Sequence, residues 1–267
     1  MSAHLRRRLR SSSGFTLVEV MVAMSMATVI SLAAFGLVAI AKNNMTNVSE
    51  QTHVDQTARV GMEKVMEVLH SACIVPETTP LLEGSSSTKL KIISEEGNEA
   101  VFPSVTLNEI VYNSSTKKLT DAEYISEEKS SYPNWTFPST AKKTVMLAEH
   151  VEPAPVENTE KEVEGITGTT LPIFRYYKYY RENTTTHEYL HAGELESEPL
   201  KGATESAGLS KTEAQQMAKI SVAFAVYPSN RKLKESKFFK PTILRDSAVY
   251  RLTPASTTSG KPNEPCS

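Results

Sequence analysis

Hydrophobic and polar positions divide this 267-residue chain into three regimes. From Val20 to Ala41 there is no charged residue and no proline, and apolar side chains such as Met21, Val22, Met24, Val29, Ile30, Leu32, Phe35, Leu37, Val38 and Ile40 occupy every face of a helix. At about 1.5 Å of rise per residue this run covers roughly 30 Å, the thickness of a bilayer's hydrocarbon core. A helix here can span a membrane. From Lys42 to about Ala72 the apolar positions narrow to one stripe. Ala58, Met62, Val65, Leu69 and Ala72 recur at helical spacing, while Glu50, Asp55, Arg59, Glu63, Lys64 and Glu67 lie off it. Such a stripe buries against a domain. The pattern predicts one helix from Phe15 that stops near Ile74-Val75-Pro76, because proline disfavours helical geometry in the residue before it.

Beyond Pro76 the period changes. Short runs rich in β-branched and aromatic residues predict strands at Lys89 to Ser94, Glu109 to Asn113, Lys143 to Val151, Phe174 to Tyr180, Lys219 to Tyr227 and Ser247 to Leu252. Asn113-Ser114-Ser115-Thr116, followed by Lys118-Leu119, reads as a hairpin tip. In Lys219 to Tyr227 one face holds Ile220, Val222, Phe224 and Val226; the other holds Ser221, Ala223 and Ala225, small enough to be covered by another element. Ser210-Lys211-Thr212-Glu213 is a capping box that opens a short helix just before this strand. Glu152 to Gly168 and Glu182 to Gly208 read as exposed loops, and Pro254 to Ser267 as a flexible tail. The expected class is α+β: a long N-terminal helix packed on a β-rich globular head.

The flanks of the apolar run change its meaning. His4, Arg6, Arg7, Arg8 and Arg10 precede it, as in a secretory signal. The small residues Ser11 to Gly14, however, come before the apolar core instead of after it, and a carboxylate, Glu19, lies just inside. Gly14-Phe15-Thr16-Leu17-Val18-Glu19, with this basic leader and about twenty apolar residues after it, resembles the processing site of type IV prepilins and type II secretion pseudopilins. The resemblance implies a prepilin peptidase that cuts between Gly14 and Phe15 and methylates the new amino terminus. It also implies a role for Glu19 in assembly, pairing with the freed amino group of Phe15 in a neighbouring subunit. Within one chain, Glu19 also suits the positive end of its own helix. The layout beyond residue 41 is similar to the large minor pilins and the J-type minor pseudopilins.

The expected organisation is a leader at 1–14, a membrane-spanning and filament-core helix at 15–41, an amphipathic helix at 42–73, a β-rich head at 74–253 and a tail at 254–267. Four leader arginines against Lys42 orient the span with its N-terminus in the cytoplasm. Loss of the leader leaves 253 residues and lowers Lys+Arg from 29 to 25 against 31 Asp+Glu, a formal −6. A mildly acidic chain without a basic stripe gives no reason to expect nucleic acid. The implied partners are the peptidase, other pilins or pseudopilins, an inner-membrane assembly platform and membrane lipid. Gly36, inside the span, either loosens the helix or lets another helix approach.

Candidate chemistry elsewhere is sparse. Cys73 and Cys266 are the two cysteines. Outside the cytosol they can form a disulfide; otherwise Cys73 is a small buried residue and Cys266 an idle thiol. His187-Glu188-Tyr189-Leu190-His191 matches the zincin pattern, but Asn183 to Thr186 before it and Ala192-Gly193 after it supply no apolar face to bury a helix. It reads as an exposed loop, with a membrane-tethered metallopeptidase as the competing class. The three aspartates, Asp55, Asp121 and Asp246, form no calcium loop. Alternating aromatics at Tyr176, Tyr177, Tyr179 and Tyr180 read as half core and half surface, or as a sticky patch. No catalytic residue, metal or cofactor is expected, and a minor filament subunit is favoured over a major one.

Overall fold

A computed structural model describes residues 14–72, 80–95, 105–127, 135–156, 169–178, 208–229 and 239–250. Helix α1 is continuous over Leu17–His70, 54 residues, passing through Gly36 without a break. The chain divides into two compact units, Met1–Glu50 and Gln51–Ser267. In the first, every described residue from Gly14 to Ser49 is exposed. In the second, α1 buries Val54, Ala58, Gly61, Met62, Val65, Met66 and Leu69: four residues of the expected stripe with Val54, Gly61 and Met66 added, while the fifth, Ala72, lies past the helix end and is half-buried.

The helix ends at His70, earlier than the proline predicts. Ser71 Oγ donates to the carbonyl of Val68 at 3.0 Å, and the Tyr250 hydroxyl donates to the carbonyl of Leu69 at 2.7 Å. Ala72 then pairs with Ser94 in an antiparallel bridge. One local and one tertiary hydrogen bond thus take two of the last carbonyls of α1; Ile74 to Pro76 lie outside the described residues.

Among the described residues eight strands follow: β1 (Lys89–Glu95), β2 (Val105–Asn113), β3 (Lys118–Ile125), β4 (Lys143–Ala148), β5 (Val151–Pro153), β6 (Phe174–Lys178), β7 (Met217–Val226) and β8 (Thr242–Val249). The first four form an antiparallel meander in chain order. In the second sheet β7 is central: β8 runs along one side of it, while β5 and β6 share the other, β5 at Phe224–Val226 and β6 at Met217–Val222. The hairpin between β2 and β3 is where the sequence puts it, with Asn113 Oδ1 accepting from the amides of Ser115 (2.9 Å) and Thr116 (3.1 Å). Helix α2 (Lys211–Gln216) opens on the expected capping box. Ser210 Oγ accepts from the Glu213 amide at 3.3 Å, and Glu213 Oε2 accepts from the Ser210 amide at 2.9 Å.

Three strand expectations are corrected. Lys143 to Val151 is not one strand: it breaks at Glu149–His150, where His150 has φ 55°, and the chain leaves the first sheet after Ala148 to enter the second at Val151. The last strand begins at Thr242 instead of Ser247, because all eight of its residues pair with β7, including the polar Arg245 and Asp246. Tyr177 is buried, not a surface residue: the Lys219 ammonium lies 5.0 Å over its ring on the neighbouring strand. Tyr176, also buried, donates its hydroxyl to the carbonyls of Ser86 (3.1 Å) and Lys89 (2.9 Å). Tyr179 and Tyr180 lie outside the described residues.

A single core joins the stripe of α1 to both sheets, with Leu90, Ile92, Ile110, Leu119, Phe174, Tyr176, Ile220, Val222 and Phe224 at its centre. Both faces of β7 are buried, and Ala223 packs against Ala154 and Leu171, the cover that its small residues imply. Gly208 (φ 75°) lies against the backbone of Gly84 (φ 80°), where Gly84 N donates to Leu209 O at 2.9 Å and Leu209 N to Ser85 O at 2.7 Å. Only a residue without Cβ allows the two backbones this close.

Candidate processing and assembly site

Helix α1 begins at Leu17, so Gly14, Phe15 and Thr16 precede it as non-helical backbone. Thr16 is the N-cap. Its Oγ1 accepts from the Glu19 amide at 3.3 Å, while Glu19 Oε2 accepts from the Thr16 amide and from Thr16 Oγ1, both at 3.0 Å. This reciprocal pair is a capping box, and Thr-x-x-Glu is its sequence signal. The threonine's role is therefore the part of this site that the hydrophobic pattern passes over. Among the described residues nothing lies within 4 Å of where a Cβ on Gly14 would stand, and Phe15 is 85 % exposed. Among these residues the Gly14–Phe15 peptide bond is thus uncovered, one residue ahead of the cap.

Behind this junction no described residue covers the apolar helix. One helix among the described residues is long and apolar enough to cross a membrane, and none of its most apolar stretch is buried. Two of its hydroxyls are satisfied locally: Ser25 Oγ donates to Val22 O at 2.8 Å and Thr28 Oγ1 to Met24 O at 2.5 Å. Inward-turned hydroxyls remove the main polar cost of placing Ser and Thr in hydrocarbon. Glu19 is then the one charged residue between the start of α1 and Lys42. All its recorded bonds stay within its own first turn, and among the described residues Oε1 accepts none.

A family model for the prokaryotic N-terminal methylation motif matches residues 9–35. This match to a tenth of the chain supports the resemblance of its N-terminus to the type IV pilins and pseudopilins. The match takes in Gly14, Phe15 and Glu19 together with most of the apolar run, and the long helix followed by a β-rich head is the α+β architecture expected of such a chain. Neither a curated protein nor a solved structure matches the chain.

Cys73 and Cys266 lie outside the described residues, as does His187 to His191 with Glu188. Among the described residues no three His, Cys, Asp or Glu side chains gather as a metal site.

Proposed function

We propose that this pilin-type chain is a minor subunit of a type IV pilus or a type II secretion-like filament. It is inserted in the inner membrane by α1, with the leader in the cytoplasm and the head outside. Processing between Gly14 and Phe15 frees an amino group that is then methylated, and the subunit leaves the bilayer when its apolar helix enters the helical core of the filament. The observation that supports this reading best is the uncovered apolar half of α1 directly behind the methylation motif. Such a surface is stable only in lipid or against other helices.

Glu19 sets the order of events in this scheme. In the membrane its carboxylate caps its own helix and stays near the bilayer edge, where a charge costs less than at the centre. In a filament Oε1 can take the Phe15 ammonium of a neighbouring subunit, and the low dielectric there strengthens that attraction. The assembled pair fixes axial register. The partners are the prepilin peptidase, the assembly platform and other pilins or pseudopilins; the protein performs no catalysis. Its mature length and large head favour a minor position over the bulk of the fibre. Quantitative mass spectrometry of sheared filaments tests that directly. A minor subunit is present at a small fraction of the principal pilin, and stoichiometry near unity would make it the major subunit.

A further inference from the structure

A groove of about 410 Å³ lies in the head between the last turns of α1 and the first sheet. Val68, Val145 and Leu147 give its lining an apolar part, with Val145 of β4 paired directly to Asp121 of β3, and the sheet face is polar at Ser94, Asn108 and Asp121, three residues on three adjacent strands. They form a relay. Ser94 Oγ donates to Asn108 Oδ1 at 2.7 Å, which aims the amide nitrogen the other way, and Asn108 Nδ2 donates to both oxygens of Asp121 at 3.2 and 3.4 Å.

Asp121 is 5 % exposed, and these two long bonds from one amide are all it receives from the described residues. A carboxylate can accept about four hydrogen bonds, and a buried one is normally matched by a cation. Of the other charges in the lining, Lys64 pairs with Glu67 at 2.5 Å on α1 and Lys143 of β4 with Glu123 of β3 at 3.5 Å, and Lys142 is a third cation there. Among the described residues none of the three makes a salt bridge to Asp121, and β1 and β2 contribute only neutral side chains to the groove. Burial, with Glu123 nearby, raises the Asp121 carboxyl to about 6, against the pull of Asn108 and Lys143, so at neutral pH the group is mostly an anion held in the wall of an open groove.

We propose that this groove is a docking site for an arginine side chain of a partner polypeptide, its guanidinium seated on Asp121 and its aliphatic stem along Val68 and Val145. Guanidinium suits the site better than ammonium because it is less strongly hydrated and offers a planar pair of N–H donors to one carboxylate. The site goes beyond the filament role and does not rest on it.

The test uses the full chain in detergent micelles with carboxyl-¹³C aspartate, which reports only Asp55, Asp121 and Asp246. The probe is the capped tripeptide acetyl-Gly-Arg-Gly-amide. At saturation the Asp121 titration midpoint is expected to fall by at least one pH unit. The dissociation constant should be about tenfold weaker at pH 5 than at pH 7.5, the ratio of ionised Asp121 for a group titrating near 6. Asp121→Asn should abolish binding, while Glu123→Gln should retain it. Should Asp121→Asn fail to fold, Asp55→Asn and Asp246→Asn assign the three resonances and the wild-type titration decides. An unmoved midpoint, undiminished binding by Asp121→Asn, or equal binding of acetyl-Gly-Lys-Gly-amide would overturn the proposal.

Discussion

Glu19 and Thr16 hold each other at the start of α1, two hydrogen bonds running to the Glu19 carboxylate and one returning from its amide to the Thr16 hydroxyl. The acid in the apolar segment thus has a local function as well as any function between subunits, and the two can be separated. Glu19→Gln preserves an acceptor for the cap and removes the charge; Thr16→Val removes the hydroxyl half of the cap and keeps the charge. If charge pairing drives assembly, Glu19→Gln and Glu19→Ala both lose copurification with sheared filaments while Thr16→Val retains most of it. Loss in Thr16→Val with retention in Glu19→Gln would assign Glu19 to helix capping alone. Membrane fractionation should find all three inserted.

Processing gives an independent prediction. Among the described residues an added side chain at Gly14 meets nothing within 4 Å, so its replacement should not disturb the folding of the head. Gly14→Arg is expected to leave the head's unfolding midpoint unchanged and to block cleavage. The wild-type protein recovered from membranes should begin at Phe15 by N-terminal sequencing, and a different first residue would remove the basis for the assembly scheme.

Two glycines in the head are fixed by contact. A Cβ on Gly208 would stand 2.7 Å from Gly84 C and from Ser85 O, at φ 75°, and one on Gly61 would stand 3.1 Å from Ala148 Cβ and Leu147 O. Backbone atoms cannot give way as a side-chain tip can, and a left-handed non-glycine residue adds about 1 kcal/mol or more of strain. Gly208→Ala should therefore cost on the order of 2–3 kcal/mol in denaturant unfolding. Gly61→Ala should cost less, since α1 can shift by a few tenths of an ångström.

Why some of this was legible in the sequence and some was not follows from the kind of interaction involved. The stripe through Ala58, Met62, Val65 and Leu69 and the alternation around Phe224 are written in period, because one-sided burial imposes a period. The Ser210–Glu213 box and the Asn113 turn are local in sequence and equally readable. What escaped was set by distant partners. The end of α1 is taken by Tyr250, and β8 gains its first five residues by pairing with β7. His150 turns the chain from one sheet to the other. At the N-terminal site the acid is evident because hydrocarbon makes a charge conspicuous. Asp121, Asn108 and Ser94 look like ordinary polar positions until the registers of β1, β2 and β3 align them.

The tail is expected to be tied back. Tyr250 Oη on Leu69 O anchors the start of the C-terminal stretch beside the end of α1, four residues before Cys73, and sixteen residues of chain then separate Tyr250 from Cys266. Sixteen residues reach on the order of 50 Å when extended, so the return to Cys73 is not limited by length. A bridge closing nearly two hundred residues would contribute roughly 5 kcal/mol through the unfolded state. Alkylation of exported protein without reduction should label neither thiol, and reduction should lower the head's unfolding midpoint. Two labelled thiols in unreduced material would show that the tail is held, if at all, by other means.

The buried carboxyl of Asp121 makes the head's stability depend on pH in a direction opposite to that of ordinary salt-bridged carboxylates. Its folded value, about 6, lies above the usual 3.8, so between these limits the folded state binds more protons than the unfolded state. Stability from this group is then greatest below about pH 4 and is lost as pH rises through 6. Other carboxylates add their own slopes, so the readout is the difference between wild type and Asp121→Asn, which keeps an acceptor for Asn108 Nδ2 and cannot ionise. The gap between 3.8 and about 6 corresponds to about 3 kcal/mol, which the water in the open groove reduces to on the order of 1–2 kcal/mol. Asp121→Asn should therefore unfold at higher denaturant than wild type at pH 8, and the difference should close by pH 4. A difference independent of pH would mean that the carboxylate is already matched by a cation within the chain. That result would also remove the charge on which docking of arginine depends.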